Sequence, residues 1–264
     1  MLEIRNISKT FNVGTINEKK ALRDVSLTLN DGDFVTVIGG NGAGKSTLLN
    51  AICGTWQVDC GQIIIDGDDV TSKPEHKRAK YLGRVFQDPM MGTAADMEIQ
   101  ENLALAKRRG KIRGLGWGIS KSEREEYHEL LSTLGLGLED RMTSKVGLLS
   151  GGQRQAVTLL MAAMAEPKLL LLDEHTAALD PKTAEKVLKI TDDIVNANHL
   201  TTLMITHNMR DAIKHGNRLI MLHEGRIIVD VSGEEKKNLT VEDLLDMFNK
   251  ASGKEFASDR AMLS

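Results

Sequence analysis

The sequence predicts an α/β fold with a mainly parallel sheet, and three observations carry that expectation. The apolar run Phe34–Ile38 (FVTVI) passes through a glycine-rich stretch into the helical pattern of Lys45–Cys53. A second apolar run, Lys168–Leu172 (KLLLL), is unbroken, as in a strand buried on both faces. Pro181–Asn196 then reads as an amphipathic helix. Pro181 suits its first turn, and Val187, Ile190 and Ile194 lie along one face.

The remaining elements fill in around these. Leu2–Ser8 and Val25–Leu29 alternate as strands of an antiparallel β subdomain, joined by a polar, flexible stretch, Lys9–Leu22. Gln62–Ile65 is a further strand, ended by the Asp66-Gly67 turn. Arg84–Phe86 is a short one running into Pro89, which ends regular structure. Ile99–Arg108 and Ser122–Leu134 have helical spacing, with Leu130, Leu131 and Leu134 on one apolar face. They belong to an inserted helical subdomain at about 90–160. Ser150–Glu166 is a helix and Leu203–Thr206 a strand. Leu219–Leu222 and Ile227–Val231 flank a hairpin signal at His223-Glu224-Gly225. Thr240–Asn249 is a closing helix. The expected division is one domain over 1–250, then a polar tail over 251–264.

Composition narrows the function. The 264 residues carry a formal net charge of -3 and only 3% aromatics, which argues against nucleic acid as a partner. Cys53 and Cys60 are too few for a disulfide framework, and no His or Cys pair completes a metal set around them. The opening MLEIRNISKT lacks the apolar core of a signal peptide, and no apolar run approaches the ~20 residues that cross a bilayer. A membrane role is therefore expected only through a partner.

The chemistry starts at Gly39–Thr47, GGNGAGKST, which has the phosphate-loop spacing G-x-x-x-x-G-K-[ST]. Its glycines let backbone N–H groups close on phosphate oxygens, and the helix that follows presents its N-terminus to the anion. Residues Gly39, Asn41, Gly42, Ala43, Gly44, Lys45, Ser46 and Thr47 are the expected nucleotide contacts. Lys45 reaches the outer phosphates and the Ser46 hydroxyl ligates Mg²⁺. At the end of the KLLLL run stand Asp173 and Glu174. With a phosphate loop in the same chain, Asp173 is expected to help hold Mg²⁺ and Glu174 to polarise the attacking water. Leu149–Gln153, LSGGQ, opens a helix, so Ser150, Gly151, Gly152 and Gln153 offer a second phosphate site.

LSGGQ resembles the signature sequence of the ABC ATPase family, and the resemblance covers about residues 1–235. It implies a phosphate-loop ABC cassette that binds ATP and Mg²⁺ and pairs head to tail with a second copy, each ATP lying between one chain's phosphate loop and the other's signature. Phe11 matches an aromatic that stacks on adenine, though a strand-end core residue would look the same. Gln87 matches the glutamine that senses Mg²⁺ and the water. Ala178-Leu179-Asp180 matches a loop touching the partner; helix capping explains Asp180 equally well. His207 matches a histidine that contacts the γ-phosphate. One departure is visible: the family usually reads Asp-Glu-Pro-Thr where this chain has Asp173-Glu174-His175-Thr176. Histidine restricts φ less than proline and titrates near neutral pH.

One cassette without a fused span resembles a transporter subunit. Phe86–Thr93 with Asp173–Pro181 looks like bacterial uptake systems that work with a lipoprotein receptor. The expected function is ATP hydrolysis that powers import of a small solute such as an amino acid. Its partners would be a second copy, a separate permease and a substrate-binding lipoprotein, at the cytoplasmic face of the membrane. Export, or a non-transport regulatory ATPase, stays open. The basic, glycine-rich Lys107–Ser120 is read either as a solvated loop or as a contact with partner or lipid headgroups.

Overall fold

The computed structural model describes residues 1–109 and 118–252. In chain order it places β1 (Leu2–Phe11), β2 (Lys19–Leu29), β3 (Phe34–Ile38), α1 (Lys45–Cys53), β4 (Cys60–Ile65), β5 (Asp68–Asp69), α2 (Glu75–Arg78) and β6 (Leu82–Val85). There follow α3 (Ile99–Lys107), α4 (Lys121–Ser132), α5 (Gly151–Ala163), β7 (Leu169–Asp173), α6 (Pro181–Ala197), β8 (Thr202–Ile205) and α7 (Met209–Lys214). The described chain closes with β9 (Arg218–His223), β10 (Arg226–Ser232), α8 (Gly233–Lys237) and α9 (Val241–Ser252).

Two sheets result. The larger has the order β10-β9-β3-β8-β7-β6, parallel throughout except for β10 at its edge. Its strands are apolar on both faces because both faces are covered. Side chains alternate across a strand. Val35, Val37, Leu169, Leu171, Leu203 and Ile205 therefore pack against α1 and the smaller sheet. Phe34, Leu170, Leu172 and Met204 pack instead among α3, α4, α5 and α6. The smaller sheet, β2-β1-β4-β5, is antiparallel. The strand order changes direction at β3, which lies between β8 and β9, and a loop leaving such a switch point faces a crevice beyond the strand ends.

Most expected elements stand where the sequence puts them, with boundary shifts of a few residues. The stretch Lys9–Leu22 differs. It is largely strand: β1 runs on to Phe11, β2 begins at Lys19, and those two residues are Cα partners. Polar residues suit these strand ends because Lys19 and Lys20 are exposed and Lys9 to Phe11 are only partly buried. The two-residue turn Glu224-Gly225, both residues at positive φ, joins β9 to β10 as the hairpin signal requires. The short α2 carries Arg78, which is fully buried and donates to the carbonyls of Ala51 and Ile52 near the end of α1. Arg78 thereby satisfies acceptors left over at that helix end and fixes α1 behind the phosphate loop.

Candidate active site

The phosphate loop runs from the end of β3 into α1. Gly44 has φ 110, and a Cβ there would stand 2.6 Å from the Ala21 carbonyl oxygen on β2. Conformation and close approach both require glycine at this point. The next residue, Lys45, is 7% exposed. Its Nζ donates to the Gly39 carbonyl at 2.7 Å and also reaches that of Gly40 at 3.4 Å. Burial lowers the Lys45 pKa, and the Glu174 and Asp173 carboxylates oppose that effect. Gly40 to Thr47, Lys19, Ala21 and Glu174 line a cavity of about 160 Å³. Lys19 entered this wall from a segment that reads as a flexible linker, so nothing in its surroundings marked it.

The carboxylates come from the end of β7. Asp173 lies 3.6 Å from Arg84 Nη2 on neighbouring β6. Burial raises the Asp173 pKa, Arg84 counters it, and Glu174 adds to it. Arg84 also donates to Asn50 Oδ1 at 3.0 Å, and its guanidinium stacks 4.5 Å from the Phe86 ring centroid. Sequence reasoning missed Arg84. Its signal was a charge set inside an otherwise apolar strand, LGRV.

Glu174 follows at φ 46, an uncommon conformation for a residue with a Cβ. Its N–H donates to the Ile205 carbonyl at 3.0 Å, and its own carbonyl accepts from Ala177 N–H at 3.0 Å. The carboxylate points into the crevice. Oε1 is 4.0 Å from Lys45 Nζ, and Oε2 is 3.5 Å from His207 Nδ1. His207, just past β8, is 53% exposed. Gln87 is exposed beyond the end of β6, the neighbour of β7. Lys45, Asp173, Glu174 and His207 thus converge, each from the C-terminal end of a parallel strand or the loop after it.

The signature residues are elsewhere. Ser150 is the N-cap of α5: its hydroxyl accepts from Gln153 N–H at 3.3 Å, and Gln153 Oε1 accepts from Ser150 N–H at 3.2 Å. None of residues 149–153 lines the phosphate cavity. Gly152 packs so closely on α6 that a Cβ would meet the Thr183 methyl at 2.2 Å.

With this geometry established, comparison with known proteins identifies the kind of chain. The ABC transporter family profile matches residues 22–177. The chain belongs to the ABC transporter family. It is 46% identical to the tyrosine transport ATP-binding protein of Clostridioides difficile, over 95% of this chain and 100% of that one. It is 33% identical to the spermidine/putrescine import ATP-binding protein PotA of Haemophilus influenzae, over 89% of this chain but 59% of that longer one. An ATP-binding cassette solved as a dimer in a post-hydrolysis state with ADP and Pi superimposes with TM-score 0.74 at 30% identity, covering 88% of this chain and 98% of that chain. A cassette of an ABC transporter in its ADP conformation gives TM-score 0.77 at 30% identity, covering 94% and 98%. The chain is thus an ABC ATPase, an ATP-hydrolysing transporter subunit. Among the described residues, no helix is long and apolar enough to cross a membrane.

Other residues matched to the ABC pattern can now be placed. Phe11 ends β1 opposite Lys19, which lines the cavity, but Phe11 is not itself among the lining residues. It also packs edge-on against Trp56 with ring centroids 4.9 Å apart, so a core-type contact accompanies any stacking role. Asp180 is the N-cap of α6, accepting from Thr183 N–H at 3.1 Å. His175, where ABC cassettes usually carry proline, is 2% exposed, and burial depresses its pKa to about 4. The sequence-level expectation that it titrates near neutral pH is therefore corrected: burial penalises the charged ring. Within Lys107–Ser120, Lys107 pairs with Glu126, Arg108 with Glu123 at 2.9 Å, and Arg109 donates to the Ala162 carbonyl at 3.4 Å. These three basic residues tie α3 to α4 and α5. Lys111 and Arg113 lie outside the described residues.

Proposed function

We propose that this chain is the ATP-hydrolysing subunit of a bacterial amino-acid importer. It works as a head-to-tail dimer on the cytoplasmic face of the membrane, through a separate permease, with a substrate-binding lipoprotein in the same system. The cassette occupies 1–250, with the helical subdomain inserted at about 90–160. The observation that carries the reading is the convergence of Lys45, Glu174 and His207 on one phosphate cavity while the signature helix stays outside it. A second chain supplies the missing signature. The 46% identity to a tyrosine-transport subunit supports an aromatic amino acid as the solute.

In the mechanism, the loop amides from Gly39 to Thr47 hold the phosphates, and Lys45 exchanges its carbonyl contacts for β- and γ-phosphate oxygens. Phe11 lies against adenine. Among the described residues no three His, Cys, Asp or Glu side chains cluster as a ready-made metal site. One carboxylate with one hydroxyl suits Mg²⁺, which binds through few protein ligands and the substrate's own phosphates. Ser46, Asp173 and Gln87 would hold it, and Mg²⁺ when bound would neutralise charge on the phosphates. Glu174 accepts a proton from water as that water attacks the γ-phosphorus. The bond to the β–γ bridging oxygen breaks, and ADP leaves with inorganic phosphate. His207 orients the γ-phosphate. Ser150, Gly151, Gly152 and Gln153 of the partner copy close the site over it.

The surface supports a permease partner. Met90, Met91, Leu105 and Leu148 are exposed apolar side chains, and Arg154 holds the Met90 and Leu148 segments together through Met90 Sδ and the carbonyls of Gly147 and Leu149. The test is uptake of labelled tyrosine into proteoliposomes containing the chain with its co-purified membrane partner and lipoprotein. ATP-dependent uptake is expected. ATP-driven efflux, or co-purification with ribosomes or DNA instead of a membrane protein, overturns the reading.

A further inference from the structure

Glu174 stands on a turn that its own backbone does not favour, and one side chain ties that turn to α6. His175 Nε2 lies 3.0 Å from Thr191 Oγ1. Thr191 already donates its hydroxyl proton to the Val187 carbonyl at 2.9 Å, one turn back along α6. The hydroxyl oxygen is therefore left to accept, and His175 donates from Nε2. The imidazole is held as the neutral tautomer protonated at Nε2. Both side chains are buried, at 2% and 1% exposure, so no water replaces either partner cheaply.

We propose that His175 is a positioning residue for Glu174. Its hydrogen bond to Thr191 replaces the φ restriction that proline supplies at this place in the usual Asp-Glu-Pro-Thr pattern. The turn from Asp173 to Thr176 is then fixed on two sides. The Glu174 N–H is anchored on β8 through Ile205, and the adjoining residue is anchored on the middle of α6. With both anchors the Glu174 backbone stays at φ 46, and its carboxylate stays within reach of Lys45 and His207. Without the second anchor the strained residue is free to relax, and the carboxylate moves with it. The same helix begins at Asp180 and carries Thr183 against Gly152, so the anchor also joins the carboxylate turn to the body that holds the signature helix.

The proposal rests on the reading of Glu174 as the general base, and the experiment separates the two. ATP affinity and kcat of the whole chain are measured for His175→Ala, Thr191→Val, His175→Pro, and His175→Pro with Thr191→Val. The expected result is a fall in kcat of about tenfold in His175→Ala and in Thr191→Val, from a misplaced reacting group, with ATP affinity within about twofold of wild type. His175→Pro restores kcat to within about threefold, and Thr191→Val is then silent in the proline background. That silence is a result a merely structural threonine would not give. Wild-type kcat in His175→Ala, a parallel loss of ATP affinity, failure of proline to rescue, or an undiminished Thr191→Val effect beside proline overturns the proposal. If His175→Ala does not fold, the two proline-background proteins still decide it. Glu174→Gln in the same assay tests the underlying reading: wild-type turnover there removes the general base. A dead Glu174→Gln beside a fully active His175→Ala removes only the positioning role.

Discussion

The phosphate loop and the carboxylate turn face one another across the same cavity, yet they are held in different ways. The loop is held by backbone conformation. Gly44 has a φ that favours glycine and a neighbour too close for any Cβ, and Lys45 folds back on the loop's own carbonyls. The turn is held by pairs reaching across the fold: Arg84 beside Asp173, Ile205 bonded to Glu174, Thr191 bonded to His175. Loop geometry is local and so is written in consecutive residues. Turn geometry is distributed over β6, β8 and α6. In the proposed mechanism the loop binds a ligand in its ground state, whereas the turn places one carboxylate for chemistry, and substitutions in the two regions should separate accordingly.

The largest separation is expected at Glu174. Glu174→Gln keeps the shape of the turn and loses the base, so hydrolysis should fall by about 10²–10⁴-fold while ATP binding persists. Lys45→Ala should lose binding and turnover together, because Lys45 meets charge already present in the substrate. With hydrolysis blocked, mass action should accumulate a closed dimer of Glu174→Gln in ATP, visible by size-exclusion chromatography. Adding Ser150→Arg should abolish that dimer through bulk and charge at the partner's phosphates. A Glu174→Gln protein that binds ATP tightly yet stays monomeric at high concentration breaks the head-to-tail reading for the isolated chain. Glu174→Gln with wild-type turnover breaks the division of labour between loop and turn.

A smaller effect, confined to binding, is expected from Gly44→Ala. The added Cβ meets the Ala21 carbonyl, and the positive φ strains any residue but glycine. Strain of about 1–3 kcal/mol corresponds to a loss of roughly 5- to 150-fold in ATP affinity, if folding absorbs none of it. Isothermal titration with a non-hydrolysed ATP analogue measures this. Unchanged affinity would mean that the loop is not held by its backbone, and the contrast with the turn would collapse.

The same contrast explains what the sequence made legible. β3, α1, β7, α6 and the β9–β10 hairpin are marked by apolar period, caps and turn residues that act within a few positions, and they stand close to their expected bounds. Lys45, Asp173, Glu174 and His207 were named from motifs because each lies at a strand end in a fixed chain order. Arg84, Lys19 and Thr191 went unnamed because their roles depend on neighbours at least 16 residues away in the chain, such as His175 for Thr191. His175 was noticed as a departure, but its burial by α6 was not visible, so its titration was misjudged. The link Lys9–Leu22 reads as loop because polar, incompletely buried strand ends look like loop.

Arg84→Met should act on the turn without removing any group that meets substrate. It leaves the half-buried Asp173 carboxylate without the Arg84 cation and Asn50 without a donor. Stability should fall by about 1–3 kcal/mol, the usual cost of unpairing a buried polar group. That is a decrease of several degrees in Tm for a chain of this size, read by thermal denaturation. ATP affinity should hold within about threefold. A loss of nucleotide binding at unchanged Tm would place Arg84 with the loop instead of the turn.

The smallest expected effect is an absence. An unperturbed histidine titrates near pH 6.5, whereas His175 is depressed to about 4 by burial. Between those two values the unfolded chain binds a proton that the folded chain does not. The stability contribution of a neutral His175 is therefore complete above about pH 6.5 and is lost as pH falls towards 4. In the range from pH 6.5 to 8 the folded ring carries no charge. It then has nothing to transmit to Glu174, so the pH profile of hydrolysis in His175→Pro should superimpose on that of wild type there. The two proteins should diverge only in acid, where wild type loses stability more steeply in denaturant titrations at pH 5 than at pH 7. Profiles that separate between pH 7 and 8 would show the imidazole titrating beside Glu174, and the turn would then be tuned by charge as well as held by geometry.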